Sequence, residues 1–259
     1  MKARALTIAG SDPTGGAGVQ QDLKTFAALG VWGLSAVTAI TVQDTVGVSG
    51  WEAVEARVVR AQIDSVMADV GCDAAKTGML GTVEIVDLVA RLATDHSIST
   101  LVVDPIIRSG SGDGLARGDL ADPIREVLLP RAALITPNTL EAAALTGLEI
   151  TTRDEQKEAA VALAADGPSA VLVTGGHLEG RHVTDVLFAE GELHEISSRR
   201  LDVGDVHGTG CALSAAITAF LARGEQLEDA VRRAHALVAD AIARAVKLGK
   251  GARLLEMRA

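Results

Sequence analysis

Along the chain, short apolar runs alternate with stretches whose apolar residues recur at helical spacing. Residues 5–9 read as a buried strand that ends in the turn-rich segment GSDPTGGAG (10–18). Val19, Leu23, Phe26 and Ala27 then fall on one helical face, and Gly30 stands where a helix-ending glycine belongs. The pattern predicts a strand over 34–42, an extended piece over 45–53 broken by Gly47 and Gly50, and an amphipathic helix over 57–70. Strands follow at 74–77, 101–104, 133–136 and 170–174, separated by helices at 83–94, 120–128, 139–146 and 154–166. A hairpin about Glu190-Gly191 joins 182–188 to 193–198, and two long helices, 211–223 and 227–248, close the chain. Strands alternating with helices predict an α/β fold with a mostly parallel sheet covered on both faces. No repeat or linker divides residues 1–259, which read as a single domain.

In sheets of this kind ligands sit beyond the carboxyl ends of the strands. The pattern places Asp12, Gln43, Lys76, Met79, Asp104, Asn138 and Gly175-Gly176 there, which predicts one cleft built from many loops.

Composition narrows the partners. Apolar residues make up 48% of the chain, there is no Tyr, and only three Phe and two Trp, so small aliphatic side chains fill the core. Few aromatics leave no stacking platform for single-stranded nucleic acid. A net charge of −10 repels phosphate backbones and anionic membranes. Cys72 and Cys211 make no disulfide framework and fit a reduced compartment. The apolar run at the N-terminus is too short for a signal-peptide core, and 212–222 is too short for a membrane span. These features read as a soluble, cytoplasmic protein with no nucleic-acid or membrane partner.

The strongest local signal is VGDVHGTGCALSAAITAFLA (203–222), where the turn Gly208-Thr209-Gly210-Cys211 opens into a helix. Free amides in a first helical turn, with the positive end of the helix dipole, bind anions. The two glycines let phosphate oxygens approach the backbone, and a thiol at such a position is expected to have a lowered pKa. The same residues also fit an ordinary glycine-rich helix entry. Asn138 and Glu141, three apart, fit oxygen ligands of Mg²⁺ and equally an N-cap with its capping-box glutamate. Asp104-Pro105 fits a carboxylate that holds a metal-bound water, or a plain strand-end turn. The loop 10–18 can close over a small substrate with its amides; it lacks the Gly-Lys-Ser/Thr ending of a P-loop. Gln43 can pair with an amide-like or aminopyrimidine edge. Met79 fits a core filler, and the six histidines show no metal-ligand spacing.

Collected in order, these stretches resemble the hydroxymethylpyrimidine/phosphomethylpyrimidine kinases of thiamine biosynthesis, in the ribokinase-like superfamily. The matching segments are 7–33, VTAITVQDTVGV (37–48), KTGML (76–80), DP (104–105), SGDGLA (111–116), 128–147, TGGH (174–177) and HGTGCALSAAI (207–217). The resemblance implies a three-layer α/β/α fold, a homodimer, and ATP- and Mg²⁺-dependent phosphorylation of the pyrimidine and then of its monophosphate. It implies substrate contacts from Gln43, Gly10, Ala17, Asp22 and Met79, and nucleotide contacts from Asn138, Thr174, Gly175 and Gly176. It assigns Mg²⁺ to Asp104 and Glu141, and an anion hole with a base to Gly208, Thr209, Gly210 and Cys211. Two lysines usual in the family are replaced here, by Gly110 and Thr174, with Arg108 as a substitute cation. The C-terminal KLGKGARLLEMRA also lacks the usual Gly-Pro ending. A pyridoxal kinase and a non-catalytic pyrimidine-phosphate binding module are the rival readings.

Overall fold

The computed structural model describes residues 2–107 and 114–258. In chain order the elements are β1 (Arg4–Ser11), α1 (Gly18–Ala28), β2 (Trp32–Gln43), β3 (Val48–Ala53), α2 (Ala56–Asp69), β4 (Ala74–Thr77), α3 (Val83–Asp95), β5 (Leu101–Val103) and α4 (Ala121–Pro123). There follow β6 (Leu134–Ile135), α5 (Thr139–Thr146), α6 (Arg153–Ala164), β7 (Ala170–Val173), β8 (His182–Ala189), β9 (Glu192–Arg199), β10 (Val206–His207), α7 (Thr209–Ala222), α8 (Leu227–Ala243) and β11 (Arg253–Leu254).

Nine strands form one sheet in the order β3-β2-β1-β4-β5-β6-β7-β8-β9. The run from β2 to β7 is parallel, while β3 at one edge and β8-β9 at the other are antiparallel. Strand alternation divides the core into two faces. Val103, Ile135, Val171 and Val173 pack with α2, α3, α5 and α6. Val102, Leu134, Ala170 and Leu172 pack with α7 and α8, and Phe26 of α1 joins α7 on that same side. This is the three-layer α/β/α arrangement that the resemblance implies. The core strands are apolar on both faces because helices cover both.

Two expectations are corrected, and one strand pairing is new. The helix predicted over 120–128 is a short α4 that runs on as a π turn (Ile124–Leu128) and a 3-10 turn (Leu129–Arg131). Pro123 and Pro130 lack amide donors, so regular α bonding cannot continue through them. The last helix ends at Ala243, not at 248, because the chain folds back and Val246 pairs with Leu254. The returning segment packs on the turn after β2, where a Cβ on Gly251 would meet the Thr45 carbonyl oxygen at 1.8 Å. The pairing of β10 with β11, which the pattern did not predict, comes from this return.

Candidate active site

The turn before α7 is fixed by backbone proximity. Gly208 sits in the left-handed region (φ 79°), and a Cβ there would lie 1.8 Å from the Gly16 carbonyl oxygen. Only glycine meets both demands. The first bond of the helix runs from Ala212 N–H to the Gly208 carbonyl, so the amides of Thr209, Gly210 and Cys211 have no partner within the helix. Through Gly208 the turn lies against Gly16 and Ala17, at the end of the loop after β1.

That loop is ordered by Asp12, which is almost fully buried. Its Oδ1 accepts from Thr14 N–H at 2.8 Å, its Oδ2 accepts from Ala17 N–H at 2.8 Å, and His207 Nε2 lies 3.2 Å from Oδ2. Burial alone would raise its pKa, but the hydrogen bonds from His207 and Thr14 outweigh that and hold it below the usual carboxylate range. Gln43, at the end of β2, has one end of its carboxamide 2.8 Å from the same His207 Nε2. Gly10 is closed by Met79, whose sulfur would lie 3.0 Å from a Cβ at that position. Met79 packs with Ala39 and Leu115, and Val48, Trp51 and Ile106 lie against this cluster. The expected substrate residues Gly10, Ala17, Gln43 and Met79 are thus gathered around one loop, with His207 tying it to the glycine turn.

Asp22 is placed differently from the expectation. It is fully buried, and its carboxylate is occupied by Thr7 Oγ1 at 2.6 Å and by Lys76 Nζ at 2.9 and 3.0 Å. It has no surface to offer a substrate and acts as the counter-ion of Lys76. Lys76, also fully buried, lies 3.8 Å from Asp104 Oδ2. Burial lowers a lysine pKa, but Asp22 above all, with further help from Asp104, reverses this and keeps the ammonium charged.

Cys211 is corrected as well. Its thiol is buried and its pKa is pushed up to about 12 by desolvation, against the pull of Lys76. The helix start that was expected to lower it is outweighed. At neutral pH it is a thiol, not a thiolate.

Asp104 directly follows β5 and accepts from Ser214 Oγ of α7 at 2.8 Å. Burial raises its pKa. Glu141 is raised to about 8 by burial and by the nearby Asp104. The capping alternative for Asn138 and Glu141 is present in full: Asn138 Oδ1 accepts from Leu140 and Glu141 N–H, and Glu141 Oε2 accepts from Asn138 N–H. The Asn138 carbonyl oxygen is therefore occupied, while Glu141 Oε1 has no hydrogen-bond partner among the described residues. Two mutually repelling carboxyl groups with raised pKa values are a donor set that a divalent cation stabilises. Among the described residues no group of three or more His, Cys, Asp or Glu side chains forms a closed metal cage. Mg²⁺ asks only for one or two carboxylates beside water and phosphate.

Asn138 is bridged to Thr174, which joins this corner to the end of β7. Gly175 N–H donates to Asp185 Oδ1 at 3.0 Å, and a Cβ there would strike the Thr184 carbonyl oxygen at 2.0 Å; Gly176 is open. His235 Nδ1 lies 2.8 Å from Asp185 Oδ2. Arg200 donates to the carbonyls of Gly176, Leu178 and Gly180, which holds the loop after β7. The sequence pattern places Lys76 at the strand-end cleft with no role, and does not single out Ser214, His207, Asp185, His235 or Arg200 as site residues. Of these, Lys76, His207 and Ser214 lie within quoted motifs, but their partners are 54, 164 and 110 residues away. Gly110 and Arg108 lie outside the described residues.

The sequence profile of the family described as "Phosphomethylpyrimidine kinase" matches residues 12–256. The chain belongs to this family. A hydroxymethylpyrimidine/phosphomethylpyrimidine kinase of Rhizobium meliloti is 45% identical over 252 residues, covering 97% of this chain and 94% of the relative. The Bacillus subtilis protein of the same name is 40% identical over 249 residues, 96% of this chain and 92% of the relative. Among solved structures, an ADP complex of Bacillus subtilis pyridoxal kinase superposes with a TM-score of 0.92 at 35% identity, covering 99% of this chain and 97% of that one. The ribokinase-like fold follows from these matches. No described helix is long and apolar enough to cross a membrane.

Proposed function

We propose that this member of the family transfers the γ-phosphoryl group of ATP to 4-amino-5-hydroxymethyl-2-methylpyrimidine and then to its monophosphate, giving the diphosphate. The observation that carries the reading is the unbroken run of contacts from Gln43 through His207 to the Gly208–Cys211 turn. It sets a recognition residue for a small heterocycle beside free helix-start amides.

The loop 10–18 encloses the substrate, with Gly10 and Ala17 offering backbone, Met79 a wall, and Gln43 the polar pair. The amides of Thr209, Gly210 and Cys211 hold the moving phosphoryl oxygens, where one such donor is typically worth about 3 kcal/mol. Asp104 and Glu141 would hold Mg²⁺, which neutralises phosphate charge when bound. Asn138, Thr174, Gly175 and Gly176 border the nucleotide. Phosphoryl transfer through a loose transition state depends on positioning more than on a strong base. Cys211 therefore serves through its N–H, consistent with a thiol that stays protonated. The usual lysine is absent at Thr174, and Lys76 does not replace it, because Asp22 already neutralises its charge. The backbone turn and the metal carry that share.

We also read the protein as a single cytoplasmic domain that works as a homodimer. Ile40 and Val42 on β2, and Val46 in the turn after it, are exposed apolar side chains on a ribbon that extends past β1.

The test is ADP release with the free pyrimidine, its monophosphate and pyridoxal in parallel. The pyridoxal arm answers the structural likeness to a pyridoxal kinase. Turnover of both pyrimidines above pyridoxal is expected. Binding of the monophosphate with no ADP release would reduce the protein to a binding module.

A further inference from the structure

Gln43 touches two neighbours whose hydrogens are already committed. Thr41 Oγ1 lies 2.7 Å from the Ser11 carbonyl oxygen, which can only accept, so the one hydroxyl proton points there. At its second contact, 3.3 Å from the Gln43 carboxamide, Thr41 must therefore be the acceptor. The carboxamide end facing Thr41 has to be its NH₂. On the other side, His207 Nε2 lies 3.2 Å from Asp12 Oδ2 and 2.8 Å from the carboxamide. Asp12 is ionised and accepts only, so Nε2 carries the proton. The carboxamide end facing His207 has to be its oxygen. Half a turn about the terminal bond exchanges the two ends without changing the shape of the side chain, and only the surrounding network tells them apart. Both contacts, reached independently, require the same orientation.

We infer that His207 is a positioning residue for the substrate: as its Nε2–H tautomer, backed by Asp12, it fixes which end of the Gln43 carboxamide is acceptor and which is donor. The inference rests on Gln43 being the residue that meets the pyrimidine. One N–H and one lone pair of the carboxamide stay free for a ligand. Their order matches an edge that carries an amine beside a ring nitrogen only if the carboxamide does not flip. A substrate met by a flipping carboxamide faces two acceptors or two donors part of the time. His207 also precedes Gly208 directly, so the device that orients the recognition residue is continuous with the phosphate turn.

The experiment compares wild type with His207→Leu, which removes the donor, and His207→Gln, whose terminal NH₂ can restore it. His207→Leu is expected to raise KM for the pyrimidine on the order of tenfold, with KM for ATP unchanged. His207→Gln is expected to recover most of that. The ¹⁵N shifts of the His207 ring in the wild type are expected to show the Nε2–H tautomer. A proton on Nδ1, an unchanged pyrimidine KM in His207→Leu, or both KM values rising together would overturn the inference. A wild type that releases no ADP with either pyrimidine sinks the kinase reading instead, and the ring tautomer then decides the present inference alone.

Discussion

A lysine with no solvent exposure is tolerable only where its charge is met, and Lys76 is met by Asp22 and Asp104 together. Removing it leaves two buried carboxyl groups uncompensated. Lys76→Met is expected to lose about 3–5 kcal/mol of stability in denaturant unfolding, with Lys76→Met/Asp22→Leu recovering a large part. Cys211 gives a second residue-scale prediction. A general base contributes roughly 10²–10⁴-fold in rate, so a Cys211→Ala variant that loses less than about tenfold in kcat would confirm that the neutral thiol is not the base. Glu141 gives a third. Its pKa, raised to about 8, means that the empty protein keeps a proton there at neutral pH. The folded state then binds more protons than the unfolded chain between the ordinary glutamate value and about 8, so this group's contribution to stability declines as pH rises through that window. Cation binding needs the deprotonated form, and affinity therefore moves the other way. Calorimetry of Mg²⁺ with ADP is expected to show affinity rising with pH, by at most about tenfold per unit, and levelling near 8. The slope is expected to flatten in Glu141→Gln. The position of Glu141 and Cys211 was legible in the sequence, but their protonation was not. A helix start favours a thiolate; burial opposes it more strongly, and the charges of Asp104 and Asp22 from distant elements add to that.

At the scale of elements, the alternation of apolar runs with helical periodicity announced β1 to β9 and the long helices, because each of these is specified by its own residues. The break in the 120–128 helix is local, set by Pro123 and Pro130; the other failures depended on distant parts of the chain. The β10-β11 pair exists because the C-terminal segment returns to the turn after β2, and no local pattern encodes that return. The glycine-rich turn was legible as a helix entry with free amides, whereas its tight seat against Gly16 was not. Gly208→Ala would force a side chain into a left-handed residue and into the Gly16 carbonyl at once. The expected outcome is a folded protein by far-UV circular dichroism with kcat lower by about a hundredfold or more, as if the helix-start donors had been displaced. Gly210→Ala separates fold from chemistry: no protein atom lies within 4 Å of a Cβ there, so the turn is expected to stay intact, and any loss of kcat reports the methyl against the phosphoryl group.

At the scale of the whole molecule, the parallel centre of the sheet is covered by helices on both faces, and the exposed liability is the β2-β3 ribbon. Ile40 is the last residue of β2 opposite β1, facing Ser11; beyond it β2 is paired only with β3, from Thr41 opposite Trp51 to Gln43 opposite Val48. A two-stranded ribbon is marginal by itself and needs something on its apolar face. Ile40 is 53% exposed and Val42 64% exposed, and strand alternation points both the same way. The ribbon ends in Gln43, so whatever covers it also steadies the substrate side of the site. The homodimer proposed above would supply that cover through a second copy of the chain, and would tie recognition to assembly. Ile40→Glu/Val42→Glu is then expected to shift the protein from dimer to monomer in light scattering. It is also expected to raise KM for the pyrimidine more than KM for ATP, because Gln43 is carried on the ribbon while the nucleotide loops after β6 and β7 lie across the sheet. A wild type that is monomeric at micromolar concentration, or a variant that remains dimeric, would place the interface elsewhere.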